Sequence, residues 1–571
     1  MILKMHQKTK TFIAIAAAAT MCAVLNAKDA IAVHSFDKEM SESKQDEFST
    51  MKSMLGKAMK EETSGVKIVF EKKLYELKHC PTDFAFINAE KIKNLEIDGN
   101  GATVVLDPAN SFLRIQGCEN ITVKNFTITY SPSPFTQGVI SDVNPSEGSF
   151  SLTIDKGYPL LPDDAKMREH YGEKCWQWGS VMDSKIRQRK RGVSDHYFID
   201  RVEKTSAPDK FKIIVDKSYA DRLKGVSNGD RFAMPVYYFK DNRKNNFTPN
   251  VAVGGSSNIT VENITLYRNR NSMCFWIGGN RGKVTMRGNN ITWLPNSNDI
   301  IASWRDGYHC KSNETGPTIE NCRCEGLLDD SINISTDTIM IKRVLDEKTL
   351  ELTNPGFTVG DEMGLLYIDS AKWIDGIKVV EAKGNIVTLD TPVKNIKTGE
   401  KRPHTDKEST QVYNMKRVNK DFKIKDCFFG MQRRNAMLIR AFNRRIEGNT
   451  VEESSANGIS LGNETGWFYE GPFPRNITIK ENTFKNLWDP GVSLYSSTSA
   501  NAPINVNFNI KILKNTFIKD SSSPYPPAIY VSKVRGAEIK NNIFKTSSEK
   551  ILPPESAVKI YNSENIEVGQ E

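Results

Sequence analysis

Several things are scarce in this sequence, and each scarcity removes a class of function. Histidine occurs seven times in 571 residues, always singly, with no His/Asp spacing that would build a metal centre. Cysteine occurs nine times without zinc-ribbon spacing. The close pair Cys322-Arg323-Cys324 is a C-x-C, which on a strand points both thiols to one face. Neither a metal nor a cofactor is therefore expected. Beyond residue 33 no stretch approaches the roughly 18 to 20 apolar residues that span a bilayer, so no membrane span is expected in the mature chain. Surplus charge is also small: 78 Lys and Arg face 69 Asp and Glu, a net +9. No basic block carries interleaved aromatics, which argues against nucleic acid. The runs Arg187 to Arg191 and Arg243 to Lys244 read as solvated loops.

The amino terminus is different in character. Lys4, Lys8 and Lys10 precede an apolar stretch from Thr11 to Leu25, with small-residue exits at Ala27 and at Ala30-Ile31-Ala32. Residues 1–32 read as an export signal, which predicts a periplasmic or extracellular protein. A lipoprotein anchor would use Cys22, and Met21 ahead of it fits that poorly. The eight remaining cysteines read as buried apolar side chains.

What the sequence has in quantity is a repeat. ENITVKNFTITY from Glu119, SNITVENITLYR from Ser257, NITIKENTFKNL from Asn476 and NIKILKNTFIKD from Asn509 share one register. Its anchors are Val261, Met286, Ile319, Ile424, Ile446, Ile479, Ile512 and Ile539. Three residues on stand Asn289, Cys322, Cys427, Asn449, Asn482, Asn515 and Asn542. Five on stand Leu266, Ile291, Cys324, Phe429, Val451, Phe484, Phe517 and Phe544. A second strand follows, beginning at Ser272, Asp306, Asp330, Asn435, Asn457, Pro490, Pro527 and Ser556, with apolar residues two and four places in. Coils of this length, with β-branched strands and Asn-containing bends, predict an all-β protein built on a right-handed parallel β-helix. Stacked Asn side chains would satisfy one another in the bends, and the Asn-x-Ser/Thr sequons read as coil turns.

Two gaps interrupt the solenoid, each holding alternating strands and turn signals, and each predicts a small inserted barrel-like β domain. The expected organisation is a signal over 1–32, a cap and first coils over 33–130, an inserted domain over 131–250, coils over 251–338, a second inserted domain over 339–415, and coils over 416–571. The polar segment from Asp37 to Lys60 reads as a short cap.

The chemistry is expected at two neighbouring coils. Asp306-Gly-Tyr-His-Cys-Lys-Ser and Asp330-Ser-Ile-Asn-Ile-Ser-Thr match position for position, 24 residues apart. One coil of separation stacks Asp306 on Asp330 about 4.8 Å apart. Asp329 precedes Asp330 and should point the other way, into the groove. Carboxylates so close repel and raise at least one pKa, which suits sugar hydrolysis, where one carboxylic acid protonates the leaving oxygen and another carboxylate activates water. Around the trio, His309 and Asn333 lie three residues into their strands. Lys311, Ser335, Arg440 and Tyr495 lie five in, and Arg305, Asp329, Arg434 and Asp489 precede theirs. His309, Asn333, Trp304 and Arg434 are the expected substrate-binding residues, with Trp276, Trp293 or Trp467 as further stacking faces.

The motifs WRDGYHC around Asp306 and EGLLDDSINIST around Asp329-Asp330, with the coils and the two insertions, resemble glycoside hydrolase family 110, bacterial exo-acting α-1,3-galactosidases. The resemblance implies an inverting enzyme that removes terminal α-linked galactose from glycans, with Asp329 as acid and Asp306 and Asp330 holding the attacking water. The family includes members restricted to branched blood-group-B-type ends and members that also accept linear ends, and no residue of this sequence decides between them. Three other readings use the same fold. A polygalacturonase-like hydrolase would carry Gly-His-Gly and Arg-Ile-Lys after the pair, and neither follows Asp330. A polysaccharide lyase would need a basic proton acceptor such as Lys311 or Arg440. A non-catalytic carbohydrate-binding adhesin would have no need of matched Asp rungs.

Overall fold

The computed structural model describes residues 31–61, 65–77, 85–161, 178–236, 249–400, 408–520 and 526–570. The signal read up to residue 30, together with Cys22, Cys80, Cys175 and the run Arg243 to Lys244, lies outside the described residues. Ala32, at one of the two signal exits, is the first residue of a strand, Ala32–Ser35, paired with Val66–Val69.

The repeat register becomes the strand register. Ile68, Ile97, Val123, Val261, Met286, Ile319, Ile424, Ile446, Ile479, Ile512, Ile539 and Val568 pair in parallel from coil to coil. Leu266, Ile291, Cys324, Phe429, Val451, Phe484, Phe517 and Phe544 form a second strip. The chain is thus a parallel β-helix, and the eight units read from the sequence are flanked by further coils on both sides. One continuous apolar core fills it, from Phe36 to Ala557. Phe484, Phe517 and Phe544 stack within that core at 4.9 and 5.2 Å.

Both bends of the coil depend on asparagine, for different reasons. Three residues before the anchor the backbone turns through positive φ, at Asn120 (55°), Asn258 (56°), Asn443 (58°), Asn476 (56°) and Asn509 (48°). Asn enters this left-handed region at less cost than most residues with a Cβ; in the Ile539 coil Gly536 does the same. Three residues after the anchor the requirement is hydrogen bonding. Asn449 Nδ2 donates to Asn482 Oδ1 at 2.9 Å, Asn482 to Asn515 and Asn515 to Asn542, each at 3.0 Å. Each also donates to a strand carbonyl. Buried bends would otherwise strand these polar groups away from water. Cys322 and Cys427 replace Asn in two coils; Cys322 N contacts Cys427 Sγ at 3.4 Å, and Cys427 N donates to Asn449 Oδ1. All six described cysteines are buried and free.

The strip that carries the site contains Phe275–Gly278, Tyr308–Lys311, Ile332–Asp337, Met437–Ile439, Ile459–Leu461 and Val492–Tyr495. Here one expectation needs correction. Phe275 pairs with Tyr308, so the residue equivalent to Asp306 is Met273, one place after Ser272. Cys274 and Phe275 are both fully buried, and apolar alternation alone cannot fix the phase there.

Each insertion closes into a six-stranded antiparallel barrel. The first uses strands from Phe135–Asn144 to Arg231–Pro235, the second from Ile339–Val344 to Gln411–Asn414. Each has a core of its own. The amino-terminal cap is helical. Phe36–Ser43 and Glu47–Lys60 are N-capped by Ser35 and Asp46, and Met51, Met54, Leu55 and Ala58 join the solenoid core. An amphipathic cap of this kind covers the first coil, whose apolar end would otherwise face water. Among the described residues no helix is long and apolar enough to cross a membrane.

Candidate active site

Asp306 and Asp330 stand at the mouth of adjacent strands, with Gly307 N donating to Asp330 O at 3.0 Å. Each carboxylate is gripped differently. His309 Nδ1 lies 2.5 Å from Asp306 Oδ2. Asp330 Oδ1 accepts from Asn435 N at 2.9 Å and Asn435 Nδ2 at 3.0 Å, and Asn457 in turn holds Asn435 at 3.0 Å. Asp329 is more accessible than either and faces two guanidinium groups, Arg433 Nη2 at 3.8 Å and Arg305 Nη1 at 3.9 Å. Oxygens of the three aspartates lie within 4.8 Å of one another. That cluster is close enough to share a cation, and Arg305, Arg433 and Arg434 already surround it with positive charge.

Burial, then the charge of Asp306, push Asp329 above the ordinary carboxylate range, while the three arginines oppose the rise. Burial and the charges of Asp329 and Asp306 push Asp330 well up. Asp329 and Asp330 therefore keep protons to higher pH than isolated aspartates would.

The trio lines a cavity of about 610 Å³ with His309, Asn333, Arg434, Arg440 and Tyr495, a size typical of small-molecule sites. Of the four residues expected to bind substrate, His309, Asn333 and Arg434 reach it and Trp304 does not. Trp304 is 1% exposed, packed 4.8 Å from Trp178 of the first barrel, and its Nε1 donates to the Trp178 carbonyl at 3.3 Å. Its upper face carries Arg305 at 4.3 Å. It holds the barrel and Arg305 in place and has no face left for a sugar.

Four participants were not readable in the sequence. Glu470 is buried in the cavity wall and ion-paired with both Lys311 and Arg440, which hold it down to about 2 against the opposing effect of burial. Glu464 accepts four backbone N–H groups, from Gly466, Trp467, Phe468 and Tyr469, at 2.5–2.9 Å. This fixes a loop whose Phe468 lines the cavity while Trp467 stands beside it, their rings 6.3 Å apart; they are 64% and 55% exposed. Arg433 and Asp195 complete the set, Asp195 reaching over from the first barrel.

The basic run from Arg187 to Arg191 is not a solvated loop. Arg187 lies over Trp293 at 5.1 Å, and Arg189 and Arg191 lie over Trp488 at 4.6 and 4.9 Å. Gln188 Nε2 donates to the Glu453 carbonyl at 2.6 Å. Planar guanidinium groups stack well on aromatic faces, and a charge count along the chain does not display that pairing.

A β-helix whose groove holds neighbouring carboxylates among planar polar side chains has the equipment for carbohydrate chemistry. No family model matches the chain. It is, however, 22% identical over 459 residues to alpha-1,3-galactosidase B of Bacteroides thetaiotaomicron, covering 75% of this chain and 70% of that protein. It is 23% identical over 530 residues to alpha-1,3-galactosidase A of the same bacterium, covering 86% and 84%. A third relative, alpha-1,3-galactosidase B of Akkermansia muciniphila, is 21% identical, with 81% and 55% covered. The resemblance to alpha-1,3-galactosidases is borne out by these relatives. Among solved structures, one titled "Glycoside hydrolase" superimposes with a TM-score of 0.39 at 10% identity over 92% of each chain. The Streptococcus pneumoniae surface adhesin PfbA gives 0.40 at 12% identity over 94% and 89%.

Proposed function

We propose that the protein is an exported, exo-acting glycoside hydrolase that removes terminal α-1,3-linked galactose with inversion of configuration. The observation that carries this is the aspartate trio in a cavity of small-molecule size, in a chain related to alpha-1,3-galactosidases. Asp329, the most accessible of the three, donates its proton to the departing glycosidic oxygen. Water held between Asp306 and Asp330 attacks the anomeric carbon and gives its proton to that pair.

The cavity also favours a neutral sugar. Lys311 and Arg440, which could otherwise grip a uronate carboxylate or act as a lyase base, are both engaged by Glu470. Arg434 is engaged by Asp195 at 3.4 Å. His309, Asn333 and Arg434 serve as hydrogen-bonding groups for hydroxyls. The Trp467–Phe468 loop offers a face for the sugar that carries the galactose.

Release of free sugar from a panel of terminal α- and β-galactosides and a galacturonan tests the reading. Galactose should appear from α-1,3-linked ends. Cleavage of the galacturonan with the α-galactosides left intact would overturn it.

A further inference from the structure

We propose that Asp195, contributed by the first inserted barrel, is a positioning residue that sets the pH at which Asp329 gives up its proton. The proposal rests on the reading of Asp329 as the acid of a glycoside hydrolase.

Asp195 does not line the cavity, yet it sits among cations that do or that touch the trio. Arg433 is the link. Its guanidinium is buried, with Nε donating to the Leu328 carbonyl at 2.5 Å and its face on Trp178 at 4.4 Å. From that fixed seat Nη1 pairs with Asp195 Oδ2 while Nη2 lies 3.8 Å from Asp329 Oδ1. A single positive charge is therefore divided between a carboxylate of the barrel and the acid of the β-helix. Arg434 Nη2 lies 3.4 Å from the same Asp195 oxygen.

Among the described residues the other charged and titratable neighbours are few. Asp195 also meets Arg189 Nη1 at 3.6 Å and His196 Nδ1 at 3.3 Å, and His196 Nε2 meets Tyr219 Oη at 2.9 Å. Asp489 faces Arg189 and Arg434. Asp329 itself faces Asp306 and Asp330 on the acidic side, and Arg305, Arg433 and Arg434 on the basic side.

The direction follows from charge. An arginine beside a carboxylic acid favours its ionised form. With Asp195 present, Arg433 and Arg434 are partly neutralised and Asp329 can stay protonated. Without that charge the two arginines act on Asp329 alone and draw its proton off at lower pH. Hydrogen bonding to His196 and the nearby Arg433, Arg434 and Arg189 hold Asp195 far below the usual range against the effect of its burial, so it remains an anion wherever the enzyme works.

The pH profile of kcat/KM for an α-galactoside tests this, with folding checked by melting temperature. Asp195→Asn should move the alkaline limb to lower pH by about one unit, and Asp195→Glu should restore it. Arg189→Gln, which removes a competitor for Asp195, should move it to higher pH. An Asp195→Asn enzyme that is folded and slower but has an unmoved or raised limb would overturn the proposal, leaving Asp195 a structural contact. If Asp195→Asn does not fold, Arg189→Gln decides: an upward shift supports the proposal and an unmoved limb overturns it. If the unmodified protein cleaves no α-galactoside, the functional reading falls separately. The positioning role is then read by infrared titration of protein carrying ¹³C-labelled aspartate, with Asp329→Asn spectra subtracted. The protonated-carboxyl band of Asp329 should be lost at lower pH in Asp195→Asn, and an equal midpoint in the two proteins would overturn the proposal.

Discussion

Asp330 stands one coil from Asp306 at the same place on the adjacent strand, yet the two are held by different partners, Asn435 for Asp330 and His309 for Asp306. Equivalent backbone positions thus carry carboxylates in unequal surroundings, the condition for dividing acid and base work between like groups. The coil that would extend the ladder on one side has Met273 and the coil on the other has Asn435. The acidic run is confined to two rungs.

Each member of the trio should be required. Asp306→Asn, Asp329→Asn and Asp330→Asn should each fold and lose about 10²- to 10⁴-fold in turnover, measured with a melting curve beside every rate. Near-normal turnover in two of the three would make the cluster structural.

Stability should move the other way for one of them. Asp330 is pushed well above its ordinary value of 3.8 by burial and by its two acidic neighbours. The folded state therefore binds the proton more tightly than the unfolded state. Below the unfolded pKa both states are protonated and the site costs nothing. As pH rises from there toward the folded pKa, stability is lost. Asn at 330 removes that loss and can still accept from Asn435. Asp330→Asn should match the unmodified protein in acid and melt higher at neutral pH. An equal or lower melting temperature at neutral pH would count against the buried-charge account.

These features were unequally visible in the sequence, for physical reasons. The anchors from Val261 to Ile539 were legible because every coil repeats one pattern of burial. Asp306 and Asp329-Asp330 were legible because they interrupt that pattern in matching places. Trp304 misled because a Trp beside a candidate Asp suits a sugar platform, whereas its burial is decided by Trp178, 126 residues earlier, in a separate barrel. Asp195, Arg433 and Glu470 carry no periodic signal. Their roles arise from ion pairs between segments far apart in the chain, and only the folded arrangement reveals them.

The exposed aromatic loop should matter for the leaving sugar more than for galactose. Trp467→Ala and Phe468→Ala each remove a face worth about 0.5–1.5 kcal/mol in ring contacts, up to about tenfold in binding. KM should rise about three- to tenfold for an oligosaccharide and change little for a galactoside with a small leaving group, with kcat retained. Equal effects on both substrates would place the loop elsewhere in the reaction.

The buried Asn ladder should be worth several interactions at once. Asn482 Oδ1 accepts from Asn449 N and Nδ2 at 2.9 Å, while Asn482 Nδ2 donates to the Ile446 carbonyl and to Asn515. Asn482→Ala leaves buried groups unpaired, at about 1–3 kcal/mol each. A loss of about 2–5 kcal/mol in denaturant unfolding, with the remaining folded enzyme active, is expected. A loss below about 0.5 kcal/mol would mean that water replaces the ladder.

Stereochemistry is the sharpest test of the roles within the trio. If Asp306 and Asp330 hold a water, neither bonds to the anomeric carbon, and Asp329 protonates the departing oxygen in the same step. An α-galactoside then gives β-galactose first. A retaining enzyme would bring one carboxylate onto the sugar as nucleophile, and the acid and nucleophile of such enzymes stand about 5 Å apart. The trio's separations, within 4.8 Å, fall near that value, so spacing does not by itself favour inversion. What supports it is the grip on each group. The Asn435 donors hold one oxygen of Asp330 and His309 one oxygen of Asp306, leaving the other two to share a water. Proton NMR during the first minutes of hydrolysis, before mutarotation, reads the anomer directly. Initial β-galactose supports the assignment; initial α-galactose would reassign Asp306 or Asp330 as a nucleophile, even with all three aspartates essential.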